Sequence, residues 1–201
     1  MGIQSDVQVS FISDEVAADD NFIVTAARPN TAATLANTSF ASGGARVLSV
    51  TTAGTGDNGK TNTIVGTDVF DNAVTEVITS TGSAEAVDGA TFFKTITSVT
   101  SSAQFAANIE VGSIASAAQS VAGGARIRLK GYSIVSGGTT GIIEFIDGTP
   151  ESGTTLFKAR TIGTDNTTLD NTIPSEGILF KDGLTIKYTV GTIDMMSFFF
   201  A

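Results

Sequence analysis

Short runs of β-branched and aromatic residues recur along the whole chain, each bounded by Gly, Asn, Asp or Ser. That rhythm predicts strands joined by turns and leaves little room for helices. Strands are expected near Val7–Ile12, Phe22–Ala26, Arg46–Thr52, Thr61–Thr67, Ala73–Thr79, Thr91–Val99 and Ile109–Val111. A second series is expected near Arg126–Val135, Gly141–Ile146, Thr154–Thr161, Gly177–Phe180, Leu184–Val190 and Met195–Phe200. Val7, Val9 and Phe11 alternate at period two. Ile127 and Leu129 alternate with Arg126, Arg128 and Lys130, which predicts a strand with one apolar and one basic face. Hairpin tips are expected at Asp57-Asn58-Gly59, Ser136-Gly137-Gly138 and Lys181-Asp182-Gly183. The Ala-rich windows Thr31–Phe40 and Ile114–Val121 are too short and too weakly amphipathic to build a helical layer. The fold class is therefore all-β, as two β-sandwich-like domains with little helix.

With 201 residues the chain can bury one or two cores. Gly43-Gly44-Ala45-Arg46-Val47 is echoed 80 residues later by Gly123-Gly124-Ala125-Arg126-Ile127, each time just before a strand. This points to an internal duplication. The segment Ser113–Gly124 is rich in small residues and marks a boundary. The expected layout is an extended N-terminal arm over 1–40, a first β domain over 41–117 and a second over 118–201.

Composition narrows the chemistry. There is no His, no Cys and no Trp, while 30 Thr, 19 Ser, 24 Ala and 22 Gly make up nearly half the chain. Thiolate metal sites, disulfides, cysteine nucleophiles and histidine-based triads are excluded. A non-enzymatic protein without cofactor or metal is the expectation. The net charge of −9 disfavours nucleic acid as a partner, because binding to phosphates needs Lys and Arg. Residues 1–120 carry 12 acidic and 4 basic groups, and residues 121–201 carry 8 and 7. No apolar stretch is long enough to span a membrane, and no secretory signal pattern is visible.

One motif invites a different reading. Gly54-Thr55-Gly56-Asp57-Asn58-Gly59-Lys60-Thr61 fits the phosphate-binding pattern GxxxxGK[ST] at every position. Such a loop works by opening a helix whose N-terminus faces phosphate. Here Thr61-Asn62-Thr63-Ile64-Val65-Gly66-Thr67 follows, a poor helix former, and Asp57 would repel phosphate. Gly54, Gly59, Lys60 and Thr61 are therefore expected to form a hairpin tip, with the following residues as its return strand, and not a nucleotide site. The acidic groups at Asp14, Glu15, Asp19 and Asp20, and those at Asp165 and Asp170, lack the spacing of a calcium loop and read as solvated turns.

The last residues, Phe198-Phe199-Phe200, cannot all point to one side of a strand. At least one ring needs cover from a second layer or a partner. Val7, Val9, Phe11, Arg126, Arg128, Lys130, Phe198, Phe199 and Phe200 are the candidate interface residues.

Two stretches carry a resemblance. Val65-Gly66-Thr67-Asp68, Thr75-Glu76-Val77-Ile78, Gly89-Ala90-Thr91-Phe92-Phe93-Lys94-Thr95-Ile96-Thr97-Ser98-Val99 and Ile109-Glu110-Val111-Gly112 together resemble a β module of small virion proteins of tailed bacteriophages. Ile173-Pro174-Ser175-Glu176-Gly177-Ile178-Leu179-Phe180, continued by Lys181-Asp182-Gly183-Leu184-Thr185-Ile186, is similar to a second such module. The Phe-Phe-Phe-Ala end departs from the single terminal aromatic of that pattern. The resemblance implies a structural virion protein assembled in the bacterial host cytoplasm. A capsid decoration (cement) protein comes first, then a head–tail neck or tail component, then a receptor- or glycan-binding module. It also implies the major capsid protein or another virion protein as partner, and a homo-oligomer, a trimer being favoured.

Overall fold

A computed structural model describes residues 7–13, 17–40, 43–114 and 117–201. Among these residues the protein is all-β, its strands pair only antiparallel, and the one helical element is a single 3-10 turn, Thr55–Asp57. The strands are β1 (Gln8–Ile12), β2 (Val24–Ala27), β3 (Arg46–Thr52), β4 (Thr61–Thr67), β5 (Ala73–Thr79), β6 (Ala86–Phe93), β7 (Thr95–Ser101) and β8 (Ile109–Ser113). They continue with β9 (Ala118–Ser120), β10 (Ile127–Ser136), β11 (Ile142–Asp147), β12 (Thr154–Arg160), β13 (Thr168–Thr172), β14 (Ile178–Phe180), β15 (Leu184–Tyr188) and β16 (Ile193–Phe200).

The described parts of 1–17, 41–44 and 117–201 form one compact unit, and those of 18–40 and 45–116 form another. In the first, a sheet ordered β1-β16-β10-β13, with β14 also on β10, faces a sheet ordered β12-β11-β15-β9. Ile12, Leu129, Ile134, Phe145, Ile186 and Phe198 fill the space between them. Phe145 sits at the centre, stacked on Phe157 at 4.1 Å and tilted on Tyr132 at 4.9 Å. In the second unit, sheets ordered β2-β8-β3-β6 and β5-β4-β7 enclose Leu48, Val50, Ile64, Phe93, Ile96 and Val111. Each unit is a two-layer sandwich whose inward residues alternate with outward ones.

The two sandwiches share one strand order. The strand after each Gly-Gly-Ala-Arg echo, β3 or β10, lies between the last strand of its unit, β8 or β16, and a fourth strand, β6 or the interrupted pair β13/β14. The second, third and fifth strands build the facing sheet, as β5-β4-β7 and as β12-β11-β15. An earlier strand is added beside each last strand, β2 on β8 and β1 on β16. Even β9 beside β15 has a counterpart, because Ala32 and Ser39 bridge to Thr100 and Thr95 of β7.

Several expectations need correction. The segment 1–40 is not one arm: β1 completes a sheet of the first sandwich, while 18–40 belong to the second. The physical reason is that its two strands pair with different last strands, β1 with β16 and β2 with β8, so backbone hydrogen bonding divides the segment. The expected strand Thr91–Val99 is two strands broken at Lys94, one in each sheet of its sandwich. None of the three proposed hairpin tips closes a hairpin. β3 and β4, β10 and β11, and β14 and β15 lie in different sheets, so these turns cross from layer to layer. Turn chemistry marks a reversal but does not say which layer receives the chain. Gly66 serves such a close approach, because a Cβ there would lie 1.9 Å from the Thr95 carbonyl oxygen at the β4–β7 irregularity.

Candidate interaction face

The five-stranded sheet of the first sandwich has one face in the core and one in solvent. On β16, Met196, Phe198 and Phe200 point inward and are buried, whereas Met195 and Phe199 point outward. On β1, Ile12 is buried, whereas Val9 and Phe11 are outward and 59% and 53% exposed. The register pairs Val9 with Phe199 and Phe11 with Ser197. One strand further in, Phe199 pairs with Gly131 and Met195 with Val135. Val7 extends the same outward row and is also exposed. Three side chains of one short segment and a fourth from the far end of β16 thus form one continuous apolar stripe: Val7, Val9, Phe11 and Phe199.

Cations border this stripe. Arg128 exchanges backbone hydrogen bonds with Ala201 at 2.7 and 3.0 Å, which sets it in the row beyond Phe199. Arg126 is exposed just before β10. Neither arginine side chain has a hydrogen bond or ion pair within the described residues. Lys130 is occupied, donating to the carbonyl oxygens of Ser175 and Glu176 at 3.4 and 3.0 Å. Strand β1 is the outer edge of the sheet and holds no charge and no proline, the devices that normally protect an edge.

Of the nine residues put forward from sequence, Phe198 and Phe200 are corrected to core positions. Strand alternation turns both inward, and Phe198 meets Phe145 edge-on at 6.2 Å. Met195 and Val135 were missed. The same period-two count from Phe199 would have found Met195, whereas Val135 joins only through cross-strand pairing.

The phosphate-loop lookalike performs a different task. Strand β4 starts at Thr61, where a nucleotide site needs a helix. Asp57 is fully buried and accepts hydrogen bonds from Lys60 Nζ at 2.7 Å and from the backbone N–H groups of Ala106 and Ala107 at 2.7 and 3.0 Å. Burial pushes its carboxyl up, but the bonds from Lys60, Ala106 and Ala107 outweigh that and hold it below the ordinary carboxylate value. Lys60 also donates to the Gln104 carbonyl at 2.6 Å and lies over the Phe105 ring. Both charged groups of the motif are thereby consumed in tying the β3–β4 loop to the segment before β8.

Elsewhere, Glu144 on β11 is paired with Lys158 on β12, and that pairing holds its carboxyl below the ordinary range. Asp19 accepts from its own Asn21 N–H at 3.2 Å, and Asp14 and Glu15 lie outside the described residues. No helix among the described residues is long and apolar enough to cross a membrane. Comparison with family models, with curated proteins and with solved structures finds no match.

Proposed function

We propose that this chain is a structural, non-enzymatic component of a tailed-bacteriophage virion, in first place a capsid decoration protein that joins neighbouring subunits of the shell. The observation that carries this reading is the outward stripe of Val7, Val9, Phe11 and Phe199 along an uncharged edge strand. A contiguous exposed apolar row on a sheet marks a contact surface. Free Arg126 and Arg128 beside it give the partner a chemistry: an apolar centre with acidic groups on one flank. Binding in many copies on a shell, with this chain as a homo-oligomer, would let a modest contact hold by multivalency.

The test is co-sedimentation of the purified protein with shells of its phage. Phe11→Glu together with Phe199→Glu should lower the bound fraction at least tenfold with an unchanged circular dichroism spectrum. Arg128→Glu should weaken binding less and reduce its salt dependence. Wild-type binding by the double variant would overturn the assignment of this face. Copy number then separates the places in the particle: hundreds of copies for shell decoration, about six or twelve for a neck or tail ring.

A further inference from the structure

The shared strand order allows the same seam to be compared in both sandwiches, where the third strand of one sheet approaches the fourth strand of the other. In the second sandwich this seam, between β5 and β6, is closed by a carboxylate. Glu76 of β5 accepts from the backbone N–H groups of Ala90 and Thr91 at 2.6 and 3.3 Å. In the first sandwich the corresponding seam, between β12 and β13, contains a cavity of about 80 Å³. One water needs roughly 10–15 Å³, so this is room for a small organic group.

The walls of that cavity are chemically specific. Ile134, Ile162 and Leu169 supply apolar surface, and Arg160 brings a guanidinium. Within the described residues the Arg160 side chain has no hydrogen bond and no ion pair. Ser136 is 2% exposed, and its Oγ has no hydrogen-bond partner. The neighbouring Thr161 hydroxyl is by contrast fully engaged, accepting from Gly141 N–H at 2.8 Å and donating to the Thr139 carbonyl. A buried hydroxyl without a partner is costly unless something completes the site, and Arg160, exposed beside the cavity, leaves its charge available to a ligand.

We propose that the β12–β13 seam is a binding site for a short-chain monocarboxylate, with the carboxylate on Arg160 and Ser136 Oγ and the hydrocarbon tail against Ile134 and Leu169. The ligand supplies from outside what Glu76 supplies from within the chain in the other sandwich. Two acceptor oxygens match a guanidinium fork and leave capacity for the serine hydroxyl. The tail needs no polar partner, and Ile134, Ile162 and Leu169 offer it aliphatic surface beside the Thr161, Thr167 and Thr168 residues that complete the lining. This site is separate from the β1–β16 face, and its assignment does not depend on the virion reading.

Isothermal titration calorimetry on the full chain tests it, with valerate as the probe and pentanamide as a neutral ligand of the same shape. Valerate should bind saturably and raise Tm, and pentanamide should bind at least tenfold more weakly. Arg160→Gln should lose about tenfold in valerate affinity and leave pentanamide unaffected. Ser136→Ala should lose severalfold. Absence of saturable valerate binding, equal affinity for valerate and pentanamide, or unchanged affinity in Arg160→Gln would each overturn the proposal. The wild-type comparison of the two ligands involves no variant, so a folding defect cannot mask the outcome.

Discussion

The two sandwiches have the same strand order and treat the outer face of their last strand in opposite ways. In the second, the backbone of Asp19, Asp20 and Asn21 lies against outward-facing Gly112 of β8, where a Cβ would fall 2.1 Å from the Asp19 carbonyl oxygen. Ser113 N–H donates to that same carbonyl at 2.7 Å, and Ala45, Val47, Phe92 and Ile114 form a further buried cluster. In the first, the equivalent strand β16 presents Phe199 outward beside Val9 and Phe11. One copy of the fold has its last strand covered by its own chain, and the other leaves that face open. The strand order builds both cores, and the residues placed outward decide whether a copy is closed or available.

The contrast can be broken from the inside first. Phe145→Ala should cost the first sandwich about 4 kcal/mol, because a stacked ring at the core centre leaves a cavity. Hydrogen exchange of β10, β11 and β16 should accelerate. Asp57→Ala should cost the second sandwich about 3 kcal/mol, since it leaves Lys60 without its carboxylate and two N–H groups without acceptors. Exchange should there rise in the β3–β4 loop and β8.

Acid should act through the same carboxylate. Its folded pKa lies below the unfolded value, so its contribution is complete above the ordinary carboxylate pKa and is lost as pH falls through the depressed one. Asp57→Asn should therefore flatten the fall in stability below about pH 4. Urea melts at stepped pH would show this. Glu76→Ala should cost about 1 kcal/mol, opening the β5–β6 seam until it resembles its open counterpart. Phe199→Ser should change stability by about 0.5 kcal/mol or less, because the ring covers no core. A large loss of stability there would mean that the open face is structural.

The strands were largely legible because period-two alternation and flanking Gly, Asn and Asp are local signals. Arg46–Thr52, Thr61–Thr67 and Ala73–Thr79 lie where their residues put them. β9 and β13 were missed, as Ala118–Ser120 and Thr168–Thr172 are dominated by polar and small residues and show no apolar alternation. The four-residue echo before β3 and β10 did mark equivalent strands. The layer-crossing turns were illegible, because Asp-Asn-Gly reverses a chain equally well within a sheet or between sheets. Half of the open face could be read, since alternation gives outwardness for Val9, Phe11 and Phe199. Their adjacency depends on β1 pairing with β16, a contact between opposite ends of the sequence that no local pattern encodes. Ser136 and Arg160 were invisible for the same reason: nothing in Ser-Gly-Gly or Lys-Ala-Arg announces a shared cavity.

The pairing of β1 with β16 also sets a timetable. One whole sandwich is written between β1 and the strands that complete its own, so β1 leaves the ribosome well ahead of its neighbour β16. At about 5–20 residues per second that wait is on the order of ten seconds or more, and the inserted sandwich gains its last strand, β8, part-way through it. Val9 and Phe11 spend this interval on an unpaired segment. Nascent chains at high density on one message are therefore most vulnerable to mispairing at β1, and slower synthesis of the last strands would lengthen that exposure without altering the finished fold.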